Sequence, residues 1–87
     1  MKHGSHPNIV VRLKRAHGHL GSVIAMFGDG RACVDLAQQL HAVESAVANA
    51  KRELIQDHIE HCLDNGAGDG VDPRTAVREF KALAKYL

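Results

Sequence analysis

The side chains best able to do chemistry in this 87-residue chain are two cysteines, Cys33 and Cys62, and seven histidines. His58 and Cys62 are four residues apart, so on a helix they stand one turn above each other on one side and can grip a single ion. Cys33 lies 25 residues before His58, and at ~100° per residue it returns to within about 20° of the same face. Along the axis, however, that separation is ~37 Å at the rise of a helix, too far for one ion. Antiparallel pairing with the same helix of a second copy removes the conflict: Cys33 of one chain then lies beside His58 and Cys62 of its mate, and two-fold symmetry makes two equivalent sites. Two thiolates and one imidazole form a soft set of low coordination number, which favours Cu(I), with Zn(II) accommodated if His61 joins as a fourth ligand.

Two other readings fit the same spacing. Free cysteine is among the most buried residue types, so Cys33 and Cys62 can be small core residues with His58 hydrogen-bonded at an interface. Alternatively, the thiols pair across the interface as a persulfide or disulfide sensor; the presence of His58 favours metal over that reading.

These residues need a long helix to carry them, and the apolar pattern supplies one. Ile9, Leu13, Ala16, Leu20, Val23, Ile24 and Phe27 recur at three- and four-residue steps until Gly28-Asp29-Gly30, which predicts a first helix over residues 7–27 with Pro7 in its first turn. Between Arg31 and Asn65 there is neither Gly nor Pro, and Cys33, Leu36, Leu40, Val43, Val47, Leu54, His58 and Cys62 share a stripe. A helix of about thirty residues is expected there, well beyond the usual ~11–12, with Ala42, Ala46, Ala48 and Ala50 allowing close approach of a neighbour. A helix so long cannot fold back on itself and needs partners along its side. Asn65-Gly66-Ala67-Gly68-Asp69-Gly70 reads as a loop. Asp72-Pro73 then gives a cap and a first-turn proline for a third helix, whose apolar positions Val77, Phe80, Ala84 and Leu87 run to the last residue.

The expected architecture is all-α: a three-helix protomer with a long central helix, a flexible segment over 1–6 and a single domain over 7–87. The aromatics are only Phe27, Phe80 and Tyr86, so the interior must be aliphatic and alanine-rich, as suits closely packed helices. A chain this short buries too little surface for a comfortable monomer, and oligomerisation is expected. No leading apolar run follows Met1-Lys2-His3 and no stretch is long enough to span a bilayer, so the cytoplasm is the expected compartment, without a membrane partner. Reduced thiols there argue against a structural disulfide. The net charge of +1 gives no bulk argument for nucleic acid, and any such contact must come from local clustering.

Arg12-Leu13-Lys14-Arg15 followed by Gly18, then Cys33-Val34-Asp35-Leu36 with Gln39 and Ala42-Val43, and finally Asp57-His58-Ile59 with His61-Cys62 together resemble the copper-sensitive operon repressor family, over nearly the whole chain. That family includes copper, nickel/cobalt, formaldehyde and persulfide sensors. The resemblance implies an antiparallel dimer that assembles into a disc-shaped tetramer, a dimer of dimers, with no helix-turn-helix. It also implies a copper site of Cys33 from one protomer with His58 and Cys62 from the other. In the nickel/cobalt sensors the last ligand is His and an N-terminal His contributes, so His61, His3 and His6 are candidate extra ligands for Ni(II) or Co(II). Formaldehyde sensors lack the second Cys and persulfide sensors lack the His, and both fit less well. Departures from the family pattern are His17 and His19 on either side of Gly18, where an acidic or polar residue and a glutamine are usual, and Ala32 where copper sensors often carry tyrosine. His17 and His19 read as surface or interface residues rather than a second metal site. Glu79 is a candidate to orient His58 through its second ring nitrogen, against the plainer reading of a solvated charge.

Arg12, Lys14 and Arg15 on the first helix, with Lys51 and Arg52 on the second, are the candidate phosphate contacts to operator DNA; an oligomer multiplies a modest patch into a useful one. Without the resemblance, the same charges read as solubilising exposed faces. The implied switch is reciprocal coupling: DNA favours one arrangement of the helices and the metal another, so each ligand weakens the other. Nothing in the sequence matches a nucleophile with its base, a phosphate loop or paired carboxylates, so an enzyme is not expected, nor a small organic cofactor. The rival from a different class is a metal-buffering protein that does not bind DNA.

Overall fold

The computed structural model describes residues 6–65 and 72–87, with the side chains of 62–65 outside the described set. Of the loop expected over 65–70, Asn65 instead closes the second helix, and the rest lies outside the described residues, as do the opening residues through Ser5. Three helices follow in chain order: α1 His6–Gly28, α2 Cys33–Asn65 and α3 Pro73–Ala84.

Helix α1 starts one residue ahead of the proline, which places Pro7 in the first turn, where its missing N–H is not needed. It ends where glycine makes continuation costly. Asp29 N donates to Met26 O at 3.1 Å, and Gly30 takes φ 69°, the left-handed conformation that reverses the chain with little steric penalty. Helix α2 has 33 residues, about 50 Å of rod at ~1.5 Å per residue, and Asp35 in its first turn complements the positive end of the helix dipole. Asp72 caps α3, its Oδ1 accepting from Arg74 N at 3.2 Å, with Pro73 behind it.

The third helix stops earlier than its apolar spacing suggests. Lys85 is the C-cap, and Tyr86 N and Leu87 N donate to Leu83 O and Ala84 O in tighter turns. Those i to i−3 bonds satisfy two of the carbonyls that a helix end leaves unpartnered, with no glycine required.

Helices α1 and α2 form an antiparallel hairpin closed by a narrow aliphatic seam. Its buried residues are Ile9, Ala16 and Val23 on α1 and Leu36, Val43, Ala50 and Ile55 on α2, with Val23 fully buried. Both Ile9-Ala16-Val23 and Leu36-Val43-Ala50 step by seven residues, the repeat that keeps two nearly parallel rods in contact along their length. Alanine on both sides of the seam lets the rods approach closely.

Four residues beyond each of the six seven-spaced positions lies a second stripe: Leu13, Leu20 and Phe27 on α1, and Leu40, Val47 and Leu54 on α2, all exposed. A four-residue step turns a helix by about 40°. Because the two rods run in opposite directions, that turn swings both stripes toward the same side of the hairpin. The result is a continuous apolar face uncovered in the protomer. Helix α3 is also apolar along one side yet has no buried residue, and Val77 and Phe80 stay exposed.

The protomer is correspondingly open. Its radius of gyration is 17.6 Å and its extents are 56 × 23 × 14 Å, against ~12 Å for a compact chain of this length. Its accessible surface of 6426 Å² exceeds the ~5,000 Å² expected of a compact monomer of this mass.

Candidate metal centre and basic cleft

Cys33 is the first residue of α2, a free thiol on an exposed position. His58 lies toward the other end of the same unbroken helix. Twenty-five residues of continuous helix hold the two ~37 Å apart along the axis, as the spacing requires. The backbone of Cys62 continues α2 one turn past His58; its side chain, like all of His3, lies outside the described residues. Among the described residues no three His, Cys, Asp or Glu side chains come together in a set that could hold a metal within one protomer.

Around His58 the structure builds a partial site. Its Nε2 lies 3.4 Å from Glu79 Oε2, with the imidazole three-quarters buried and the carboxylate half exposed. This contact ties α3 to α2 and brings the sequence candidate Glu79 to the imidazole. The pair lines a cleft of about 340 Å³ with His6, Leu54, Ala82 and Leu83. His6, the first residue of α1, thus shares the cleft with His58, because the antiparallel hairpin returns the end of α2 to the start of α1. His61 is half-buried on the next turn of α2.

A second cleft, of about 310 Å³, opens between α1 and α2 in the middle of the hairpin. Arg12, Arg15, Ala16, His19, Ala46 and Asn49 line it. Arg12 Nη1 is 3.0 Å from Glu53 Oε2 across the two helices. Arg52 donates to the side-chain oxygen of Asn49, one turn back on α2. His19 Nε2 and Gln39 Oε1 are 2.7 Å apart, a further tie between the rods. The candidate phosphate contacts Arg12, Lys14, Arg15, Lys51 and Arg52 are all exposed, and Arg12 and Arg15 converge on this cleft. His17 and His41 are exposed as well.

Residues 5–86 match the family described as "Metal-sensitive transcriptional repressor". The chain belongs to that family. Among its relatives are copper-sensing transcriptional repressors CsoR: that of Mycobacterium ulcerans is 41% identical over 75 residues, covering 86% of this chain and 63% of the relative. That of Bacillus subtilis is 38% identical over 77 residues, covering 88% and 75%. The chain thus spans less than two thirds of the length of the mycobacterial relative. Among solved structures, the nickel-responsive transcriptional regulator InrS superposes with a TM-score of 0.82 at 27% identity, covering 100% of this chain and 98% of that one.

Membership in the metal-sensitive repressor family accords with the resemblance carried by Arg12–Gly18, Cys33–Val43 and Asp57–Cys62, and with an all-α, three-helix protomer. It is a regulatory family, not a catalytic one. No helix among the described residues is long and apolar enough to cross a membrane. In this family member, the residues that sequence reasoning missed are Glu53, Asn49 and Gln39, which engage Arg12, Arg52 and His19. Their sequence signal is polarity at a helix position, joined for Gln39 by its place in the family resemblance, and neither distinguishes a cross-helix partner from a solvated residue.

Proposed function

We propose that this chain is a repressor that binds operator DNA when metal-free and releases it when Cu(I) binds between two protomers, held by Cys33 of one with His58 and Cys62 of the other. The observation that carries the reading is the single rod α2, with an exposed thiol at its first residue and a carboxylate-paired imidazole near its far end. Such a rod brings its own ligands together only by lying antiparallel to a second copy. The exposed stripe of Leu13, Leu20, Leu40, Val47 and Leu54 offers the face on which that copy packs, and the surface in excess of a compact monomer is of the order that a standard interface covers.

The donor set fits the ion. Two thiolates and an imidazole are soft ligands that suit Cu(I), and the copper-sensing relatives support that choice. The contact of Glu79 with His58 Nε2 supports a role for the carboxylate in orienting the ring that would hold the ion. Cys33 of one protomer with His58 and Cys62 of the other would hold the ion between them, which would favour one relative placement of their helices. Arg12, Lys14, Arg15, Lys51 and Arg52 contact DNA phosphates, and DNA favours a different placement. Each ligand therefore weakens the other by the same factor.

A second reading has its own support. His6 lines the cleft of His58 and Glu79, and a structural neighbour is nickel-responsive. In this alternative, His6 and His61 complete a Ni(II) or Co(II) site with Cys33 and His58.

Gel-shift titration of DNA from upstream of the gene tests both readings, using protein that is metal-free, loaded with Cu(I), or loaded with Ni(II). Binding by the metal-free protein and release with Cu(I) alone is the expected result. Release with Ni(II) alone selects the second reading, and no binding of the metal-free protein refutes repression and leaves the metal-buffering alternative.

A further inference from the structure

We propose that the cleft between α1 and α2 seats one phosphate of the DNA backbone, and that Glu53 competes with that phosphate for Arg12, holding DNA affinity below what the arginines alone would give. The inference rests on the DNA-binding reading above and adds a site and a regulator to it.

The walls of the cleft carry the cations Arg12 and Arg15 on α1 and the amide of Asn49 on α2, beside His19, whose Nε2 is already held by Gln39, and its floor is small, with Ala16 and Ala46. Alanines at the base let a phosphodiester approach the helix backbones, while two guanidiniums at the rim match its geometry with paired N–H donors. Arg52 occupies the oxygen of Asn49, which leaves the amide nitrogen as the group that donates. The charges are therefore arranged for an anion.

Against that arrangement stands Glu53. Its carboxylate lies 3.0 Å from Arg12 Nη1, at the distance and in the role a phosphate oxygen would take. The side chain of Arg12 is 53% exposed and that of Glu53 30%, so water already screens the pair and DNA can displace the carboxylate at small cost. Phosphate contacts carry no sequence information. Glu53 thus lowers affinity for all duplexes alike, and each protomer that touches DNA adds its own contribution.

The test measures binding of metal-free protein to two duplexes of equal length, the upstream region of the gene and an unrelated sequence, by fluorescence anisotropy across a salt series. Glu53→Gln is expected to tighten binding about threefold to tenfold on both duplexes, the scale of one or two exposed ion pairs released. The gain should vanish in an Arg12→Gln background, which should also flatten the salt dependence. Asn49→Asp, which adds a negative charge to the cleft, should weaken both complexes; helical content by circular dichroism confirms that each variant folds. If the wild-type protein binds its upstream region but Glu53→Gln binds no more tightly, or gains equally without Arg12, the competition is overturned while the DNA reading stands. If the wild-type protein binds neither duplex, both fall.

Discussion

Replacing Glu79 isolates what the carboxylate does for His58. The two groups meet at 3.4 Å, with side-chain exposures of 24% for His58 and 50% for Glu79. As a contribution to folding, a pair that wet is worth ~0–1 kcal/mol, so neither Glu79→Gln nor Glu79→Ala should shift the melting temperature of the metal-free protein by more than a few degrees. As a contribution to metal binding the expectation differs. Partners that orient a ligating imidazole typically change affinity 10–100-fold, and half exposure of Glu79 places this one at the low end, about tenfold, or ~1.4 kcal/mol. Glu79→Gln keeps an acceptor for the ring N–H and loses only the charge, so it should cost about threefold, between wild type and Glu79→Ala. The assay is anaerobic competition for Cu(I) against a chromophoric chelator. Affinities of both variants within twofold of wild type would show that Glu79 does not position His58.

Val23 is fully buried in the hairpin seam, and Val23→Ala should cost about 2 kcal/mol from lost burial and the cavity left behind, read as a lower denaturation midpoint; an unchanged midpoint contradicts the seam. Val47 is exposed in the protomer at the centre of the second stripe, so Val47→Glu should leave the fold helical but lower the mass in sedimentation toward the 9.4 kDa protomer, whereas an unaltered mass removes that face as the interface. Metal binding releases the protons of the ligating thiols, so apparent Cu(I) affinity should rise with pH, by as much as about tenfold per pH unit for each thiol deprotonated on binding. A flat pH profile excludes thiolate ligation that displaces protons.

Much of the fold is legible in the sequence because its punctuation is strong. Pro7, Gly28 and Asp72-Pro73 mark helix limits to within a residue or so of those found. The end of α3 is the exception, since Leu87 keeps helical spacing while the chain turns at Lys85 without a glycine to announce it. Burial is harder to read. Leu40, Val47 and Leu54 share a stripe with Leu36 and Val43 in the sequence, yet only the latter two are buried in the protomer. Two adjacent seven-residue repeats look like one broad apolar face until the width of the partner is known. Ala50, one of the alanines read as allowing close approach, is buried in the seam, whereas Ile55 is a core residue that stands off the stripe read from the sequence.

For the candidate site, the one-dimensional part was legible and the register was not. His58 and Cys62 one turn apart, with Cys33 far down the same face, follow from helix geometry alone. The approach of Glu79 to His58 does not, because the glycine-rich stretch 66–70 breaks any periodicity that would carry register from α2 into α3. Pairings such as Arg12 with Glu53 and His19 with Gln39 depend on the sliding register of two antiparallel rods, which the seam of Ile9, Ala16 and Val23 against Leu36, Val43 and Ala50 sets only once both helices are packed.

Subunit complementation tests the inter-subunit site most directly. A Cys33→Ala protomer and a His58→Ala/Cys62→Ala protomer, each unable to bind Cu(I) tightly in isolation, are unfolded together, refolded as a mixture and titrated. A site shared between chains predicts that mixed dimers regain one tight Cu(I) site of their two, because one chain retains Cys33 and the other retains His58 and Cys62. Mixtures that bind no better than either parent would contradict it.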